Sequence, residues 1–573
     1  MPRHRGARGA AAEGTAAAAS DHDAPSLADT FQTRYLYPME STLRLSLGSL
    51  VGALALCLVA CSKGDAPQSA ATPAPAAPAA RRHADAPGIA WFEGDVADAF
   101  TAARAARKPL LLYWGAVWCP PCQQLKSTVF SRPDFIAKSA LFVPVYLDGD
   151  DERAQKWGEE FHVTGYPTLV VLDADRHEQM RIAGGMDLEQ YSAVLDNALA
   201  DLQPAAALLD QAAAGHALAI GQCRRLAFNA WELDTLADAT ASAALANRLD
   251  SAAKQCPADA RNERARLAIF AAAFATHAEA EAFKAGKAPS ASLLARAGAV
   301  DGVLADEGTA VAVADALQML DEDFFRVVKA RADAAAWLAR FSRIMDMTAS
   351  QPDFAEADQL GAIGSKLQAI KVINGAIPVG AARAATARVN AALAERQIPY
   401  VRSGIINAVL PIYDLLGQDE QAYKVVQGEL ARSATPYYYK TDLGELAEQL
   451  GRKDEAIKWY SEGFAEARGP ATRFQWGAIY AQGLLRLAPD DAAKIGTVTA
   501  QVLGELDGPD RIYQRARMRL EKLDAALRKW DAATKGAHHA TLVDLRARMQ
   551  QICGKIPKTE AARGSCDAFL ASA

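Results

Sequence analysis

The sequence predicts two unlike parts in one chain: an α/β domain over about residues 89–203 and a large all-α region over 204–573. Three observations predict this. Short apolar runs at Leu110–Trp114, Phe142–Leu147 and Leu169–Leu172 alternate with stretches of helical periodicity. From residue 204 onward the text is alanine-rich, poor in β-branched runs and broken at glycine and proline, as helices are. Between the first strand and the helix after it stands Trp118-Cys119-Pro120-Pro121-Cys122, two thiols one helical turn apart.

The chain has 573 residues, enough for several domains, and 51% hydrophobic with 23% charged residues excludes wholesale disorder. A net charge of −6 without a basic block in the second half gives no sign of nucleic-acid binding. The eight cysteines fall into sequence-local pairs: Cys57 with Cys61, Cys119 with Cys122, Cys223 with Cys256, and Cys553 with Cys566. That arrangement is unusual for a reduced cytosolic enzyme and suits an oxidising compartment, where local pairs close as disulfides.

Residues 1–38 are rich in Ala, Arg and Gly and carry no hydrophobic periodicity, so no packed structure is expected there. Met39 opens a different text and is a candidate true start. Arg44 supplies a positive charge, and an uncharged apolar run follows from Leu45 to Ala60. The run is shorter than the about 20 residues of a membrane span and close to a signal-peptide core. It ends in Leu58-Val59-Ala60-Cys61, which resembles the bacterial lipobox. That resemblance implies cleavage of a 39–60 leader before Cys61 and lipidation of Cys61, giving a membrane anchor. Cys57 would leave with the leader. Lys63, in place of an aspartate two residues after Cys61, implies no inner-membrane retention and favours the outer membrane. Residues 61–88 hold five prolines among many alanines and read as a tether.

Within 89–203 an amphipathic helix is expected from Trp91 to Arg107, stopped by Lys108-Pro109. The strand at 110–114 leads into the two cysteines, and a helix continues over Gln123–Val129. A short helix at Asp134–Lys138, a strand over Phe142–Leu147 and a helix carrying Ala154, Trp157 and Phe161 follow. Gly165-Tyr166-Pro167-Thr168 then opens the strand at 169–172, which turns into an antiparallel partner at Gln179–Ala183. Asp187–Leu199 closes the domain as a helix with Leu188, Tyr191, Leu195 and Leu199 on one face.

Cys119 at the start of a helix meets unpaired backbone N–H groups that stabilise a thiolate, so its pKa is expected to fall from about 8.5 towards about 7 or lower. Cys122, one turn on, would be shielded and would resolve the mixed disulfide that Cys119 forms. A Cys-x-x-Cys can also be half a zinc site, but no second Cys/His pair stands at suitable spacing, and no metal is expected. A merely structural disulfide would not need the Trp or the later Tyr-Pro-Thr. The apolar strand, the Trp-Cys-x-x-Cys, the Asp-ended second strand and Tyr166-Pro167-Thr168 together resemble the thioredoxin superfamily. The helix ahead of Lys108-Pro109-Leu110-Leu111 is most similar to its periplasmic branch, which includes the C-terminal domain of the transmembrane disulfide reductase.

The resemblance implies a thioredoxin fold, Cys119 as nucleophile, Cys122 as resolving thiol and no cofactor. It also implies that Pro167 is a cis-proline facing the dithiol and that Trp118 shapes the contact surface. Many relatives carry a buried acid six residues before the nucleophile. Here that residue is Tyr113, which puts the usual proton-transfer route in doubt.

In the helical region Leu416-Gly417 with Ala422 recurs as Leu450-Gly451 with Ala456, the tetratricopeptide period of about 34 residues. Tyr460, Gly463 and Phe464 extend the second unit in that family's manner. Paired helices are expected at 437–450 and 454–467, with a degenerate unit from Leu484 to Leu506; between 204 and 400 helices are legible but a repeat is not. A tetratricopeptide-like solenoid would offer a face for a protein partner, and equally could bury only its own core. Tyr437-Tyr438-Tyr439 are expected between helices and His538-His539 in solvent. Cys223–Cys256 and Cys553–Cys566 are candidate disulfides, each restricting the unfolded chain by roughly 3 kcal/mol.

The expected function is thiol–disulfide exchange with protein substrates in the periplasm, as a lipid-anchored reductant fed by an upstream membrane or periplasmic electron donor. The alternative is an envelope scaffold whose helices bind a partner and whose thioredoxin-like domain mainly docks.

Overall fold

The computed structural model describes residues 88–183, 188–231, 239–395, 397–508 and 511–571. The leader over 39–60, Cys61, Lys63 and the tether as far as residue 87 lie outside them. Two parts are present: a thioredoxin-like domain with a mixed four-stranded sheet and a large all-helical region.

The strands are β1 (Leu110–Gly115), β2 (Val143–Asp148), β3 (Thr168–Leu172) and β4 (Glu178–Ala183), in spatial order β2-β1-β3-β4. β1 pairs parallel with β2 and antiparallel with β3, which pairs antiparallel with β4. Every residue of β1 is buried, because helices cover both faces of the sheet. The two-residue alternation of a strand sorts its side chains. Leu110, Leu112 and Trp114 enter one core with Val96, Phe100, Trp157 and Phe161, while Leu111 and Tyr113 enter the other with Val129, Phe130 and Tyr146.

The helices of this domain are α1 (Val96–Ala106), α2 (Pro120–Leu125), α3 (Pro133–Ser139), α4 (Glu152–Glu160) and α5 (Leu188–Ala200). α1 begins at Val96, not at Trp91. Asp95 caps it by accepting the Ala97 N–H at 2.9 Å, and Trp91 instead packs on Tyr113 and Phe130 beneath the dithiol helix. α2 begins at Pro120, directly after Cys119 as expected, and passes into a π-helix over Lys126–Phe130.

The helical region joins the thioredoxin-like domain first along β4, an edge strand whose outer N–H and C=O groups need partners. The Arg181 N–H donates to Asn229 Oδ1 at 2.8 Å, and the Ala230 N–H donates to the Arg181 carbonyl at 2.9 Å. Arg225, wholly buried, donates to the carbonyls of Gln179, Asp201 and Gln203. Beyond this seam the helices form two apolar cores, one spanning Ala205–Ile370 and one spanning Leu360–Leu570. They meet on the helix Glu356–Asn374, which sends Leu360 and Leu367 into one core and Ala362, Ala369 and Ile370 into the other.

The expected pairs at 437–450 and 454–467 are the helices Pro436–Gln449 and Lys453–Glu466, packed on each other. The Leu484–Leu506 stretch falls on Pro470–Leu487 and Ala492–Gly504. Cys223 is joined to Cys256 and Cys553 to Cys566. His539 is exposed as expected, whereas His538 lies half-buried and flat on Trp530, with ring centroids 4.0 Å apart. Among the described residues no helix is long and apolar enough to cross a membrane.

Candidate redox site

The end of β1 and the start of α2 bring Cys119 and Cys122 together as a disulfide. Pro120 and Pro121 have no N–H to offer, so the first free amide of the helix is that of Cys122. It donates to Cys119 Sγ at 3.2 Å. The same donor would hold a Cys119 thiolate through a charge-assisted bond, which favours the ionised form. The Cys119 carbonyl accepts from Gln123 and its N–H donates to Ala116, so the backbone around the sulfur is fixed on both sides.

The Tyr166–Pro167 bond is cis, and Pro167 is buried. Tyr166 is held by its hydroxyl, which accepts from Gln155 Nε2 at 3.2 Å and donates to the Gly149 carbonyl at 3.4 Å. Its ring centroid is 6.3 Å from that of Trp118. The four residues singled out from sequence, Trp118, Cys119, Cys122 and Pro167, thus lie after the end of β1 and just before the start of β3, which pair at Trp114 and Thr168. Cys223–Cys256 and Cys553–Cys566 sit in the helical region and take no part in this site.

Tyr113 lies under the dithiol helix, stacked on Tyr146 at 5.5 Å and edge-on to Phe130 at 4.8 Å. Its hydroxyl is buried without a hydrogen-bond partner among the described residues. Burial, with a smaller push from the charge of Asp148, drives its pKa far above that of an ordinary phenol. Tyr113 therefore stays neutral and cannot take a proton from Cys122 as a carboxylate would. The polar group that sequence reasoning missed beneath the site is Lys126, one turn after Cys122 and buried, whose Nζ donates to Tyr146 Oη at 3.5 Å. The signal was present: Lys126 stands between Leu125 and Val129, whose apolar side chains mark the inward side of the helix after the dithiol.

Also missed were the groups that cover the site. Trp118 stands edge-on to Trp476 at 5.1 Å and stacks on Tyr438 at 6.4 Å. The Arg515 guanidinium lies 4.1 Å from the Tyr166 ring centroid and 6.0 Å from that of Trp118. Asp150, just beyond β2, accepts from the Thr472 N–H at 3.0 Å and from the Thr472 hydroxyl at 2.6 Å. It thereby caps the helix Pro470–Leu487, whose own preceding residue, Gly469, has no side chain to do so. Burial raises the Asp150 pKa to about 6; the Thr472 bonds oppose the shift and Asp148 adds to it. Tyr437-Tyr438-Tyr439 do pack between helices as expected, and Tyr438 reaches the dithiol domain as well.

Residues 96–199 match the family model of a thioredoxin-like domain. Two curated relatives are thiol:disulfide interchange proteins DsbD. That of Escherichia coli O6:H1 is 32% identical over 97 residues, covering 16% of this chain and 17% of the relative. That of Shigella boydii serotype 4 is 30% identical over 95 residues, with the same coverage. The likeness is thus confined to the thioredoxin-like domain and spans about a sixth of those proteins. The fold, the family match and the Cys119–Cys122 pair together define a thioredoxin-like domain that carries a Cys-x-x-Cys disulfide.

Proposed function

We propose that this protein exchanges disulfides with protein substrates in the bacterial cell envelope, as a reductant. The observation that carries the reading is the Cys119 sulfur at a helix start, bonded by the first free amide of that helix. In the forward reaction the Cys119 thiolate attacks one sulfur of a substrate disulfide, and the other sulfur leaves as a thiolate that takes a proton. The Cys122 thiol, deprotonated, then attacks Cys119 Sγ. That releases the second substrate sulfur and leaves Cys119–Cys122 oxidised. Two electrons pass to the substrate, and an upstream membrane or periplasmic dithiol restores them. The relatives' thiol:disulfide interchange supports this reading.

The 39–60 leader, lipidation at Cys61 and the Lys63 signal support placement in the periplasm on a lipid anchor, with the outer membrane favoured. The sequence period at 416–456 supports a tetratricopeptide-like reading of the helices. So do side-chain bonds joining residues 32 apart, Arg388 with Glu356, Tyr423 with Glu455, Arg452 with Glu420 and Arg473 with Glu505.

The scaffold alternative is favoured by one observation, the 2% exposure of Cys119. Insulin reduction by the full chain with dithiothreitol as donor separates the two. The oxidoreductase reading expects turnover that Cys119→Ser abolishes; turnover equal in both proteins, or none in either, supports the scaffold.

A further inference from the structure

In this closed form the Cys119–Cys122 pair is shut off from a protein substrate, so turnover must run through opening: Cys119 is 2% exposed and Cys122 0%. The cover is the chain's own helical region. The helix Pro399–Leu415 packs against α2, and its Ile406 and Leu410 share one apolar cluster with both cysteines. Trp476 and Tyr438 close over Trp118, and Arg515 lies over Tyr166. A substrate strand laid beside Tyr166-Pro167 would need the space these side chains fill, and thiolate attack requires the two sulfurs to touch.

The covering seam differs in kind from the seam along β4. There, backbone groups pair with Asn229 and Ala230, and Arg225 bonds main-chain carbonyls in full burial. Over the dithiol, the two sides are joined by side chains: aromatic edges, the Asp150–Thr472 cap and the ion pair of Arg517 Nη1 with Glu159 Oε1 at 2.7 Å. Among the described residues, the Trp118 indole N–H and Glu159 Oε2 are buried there without hydrogen-bond partners. The two attachments belong to different helical cores that meet on the single helix Glu356–Asn374.

We propose that the helices from Pro399 to Ala533 form a lid over Cys119–Cys122. The lid lifts by parting the packing of Pro399–Leu415 on α2 together with the Trp118–Trp476, Tyr166–Arg515, Asp150–Thr472 and Glu159–Arg517 contacts, while the β4 seam stays joined. Its occupant in the closed state is the thioredoxin-like domain itself, so the helical surface that would recruit a partner is taken until the lid opens. The purpose of the device rests on Cys119–Cys122 being the exchanging pair, but its test reads access rather than exchange.

The full chain, reduced with a phosphine, is treated with a maleimide carrying a polyethylene glycol chain, and labelling of the Cys119 peptide is timed by mass spectrometry. Glu159→Arg and Arg517→Glu should each speed labelling by about five-fold or more, since each sets like charges against each other across a half-buried pair. The double swap should return the rate to within about two-fold of the wild type, as expected of a restored pair. Thr472→Val removes one hydroxyl bond without a charge, and should speed labelling even if a charged variant fails to fold. Wild-type rates in Thr472→Val and in the folded single variants, or a double swap as fast as the singles, would overturn the lid. An opened variant that labels fast yet reduces no insulin would instead overturn the oxidoreductase reading.

Discussion

Pro120 and Pro121 leave Cys122 as the first amide donor of α2, and the Cys119 sulfur takes that bond. This much was legible in the residues, because capping and proline chemistry act within one turn. Tyr113 was legible as a departure, and the structure supplies its consequence: a neutral phenol in an aromatic stack. Asp150 was read only as the end of a strand, because its partner Thr472 is 322 residues away.

That partner gives a pH prediction. In the closed form burial raises the Asp150 pKa from the ordinary 3.8 to about 6, so an opening that exposes the carboxyl makes the open form bind the proton less tightly. The contribution to closure is therefore complete below the ordinary carboxylate pKa and is lost as pH rises through about 6. Asp148, Tyr437 and Arg515 face the same carboxylate, and Glu152, Glu505 and Arg511 line the small cavity beside it. The ratio of Cys119 labelling rates, wild type over Asp150→Asn, cancels the thiol's own titration. It should rise between about pH 4 and 6 and level off above; a flat ratio would show that Asp150 titrates alike in both forms.

At the scale of elements, strands and helices followed from alternation and periodicity, with a correction at the start of α1. Its cause is that the Asp95 cap, not hydrophobic pattern, decides where that helix begins. The attachment along β4 was not legible, since nothing local in Arg225 announces that it will bond three carbonyls of another domain. Arg225→Leu leaves the carbonyls of Gln179, Asp201 and Gln203 without that donor and should cost roughly 2–4 kcal/mol in urea unfolding. Arg225→Lys should recover only part, because one ammonium lacks the planar fork. A loss under about 0.5 kcal/mol for Arg225→Leu would mean the seam does not depend on this side chain.

At the scale of the whole molecule, the thioredoxin-like domain is clasped by one continuous helical region at two places, the β4 edge and the dithiol face. In the sequence the two parts stand side by side, and the helical region offers a face for an outside partner. The structure turns that surface inward, through contacts such as Glu159 with Arg517 that span 358 residues and leave no local pattern. A hint was available in Gly469-Pro470, a helix start without a capping side chain. Gly469 itself has a φ of +81°, and a Cβ there would collide with Asp150, so the close approach of the two parts needs glycine.

The central claim is that Cys119 attacks protein disulfides and Cys122 resolves the product. It is tested most directly with the full chain carrying Cys122→Ser, incubated with envelope extract and separated without reductant. The exchange mechanism predicts covalent adducts that collapse on reduction, map to Cys119 by mass spectrometry, and increase when Glu159→Arg is added to open the lid. No adduct at Cys119 in either background would contradict it.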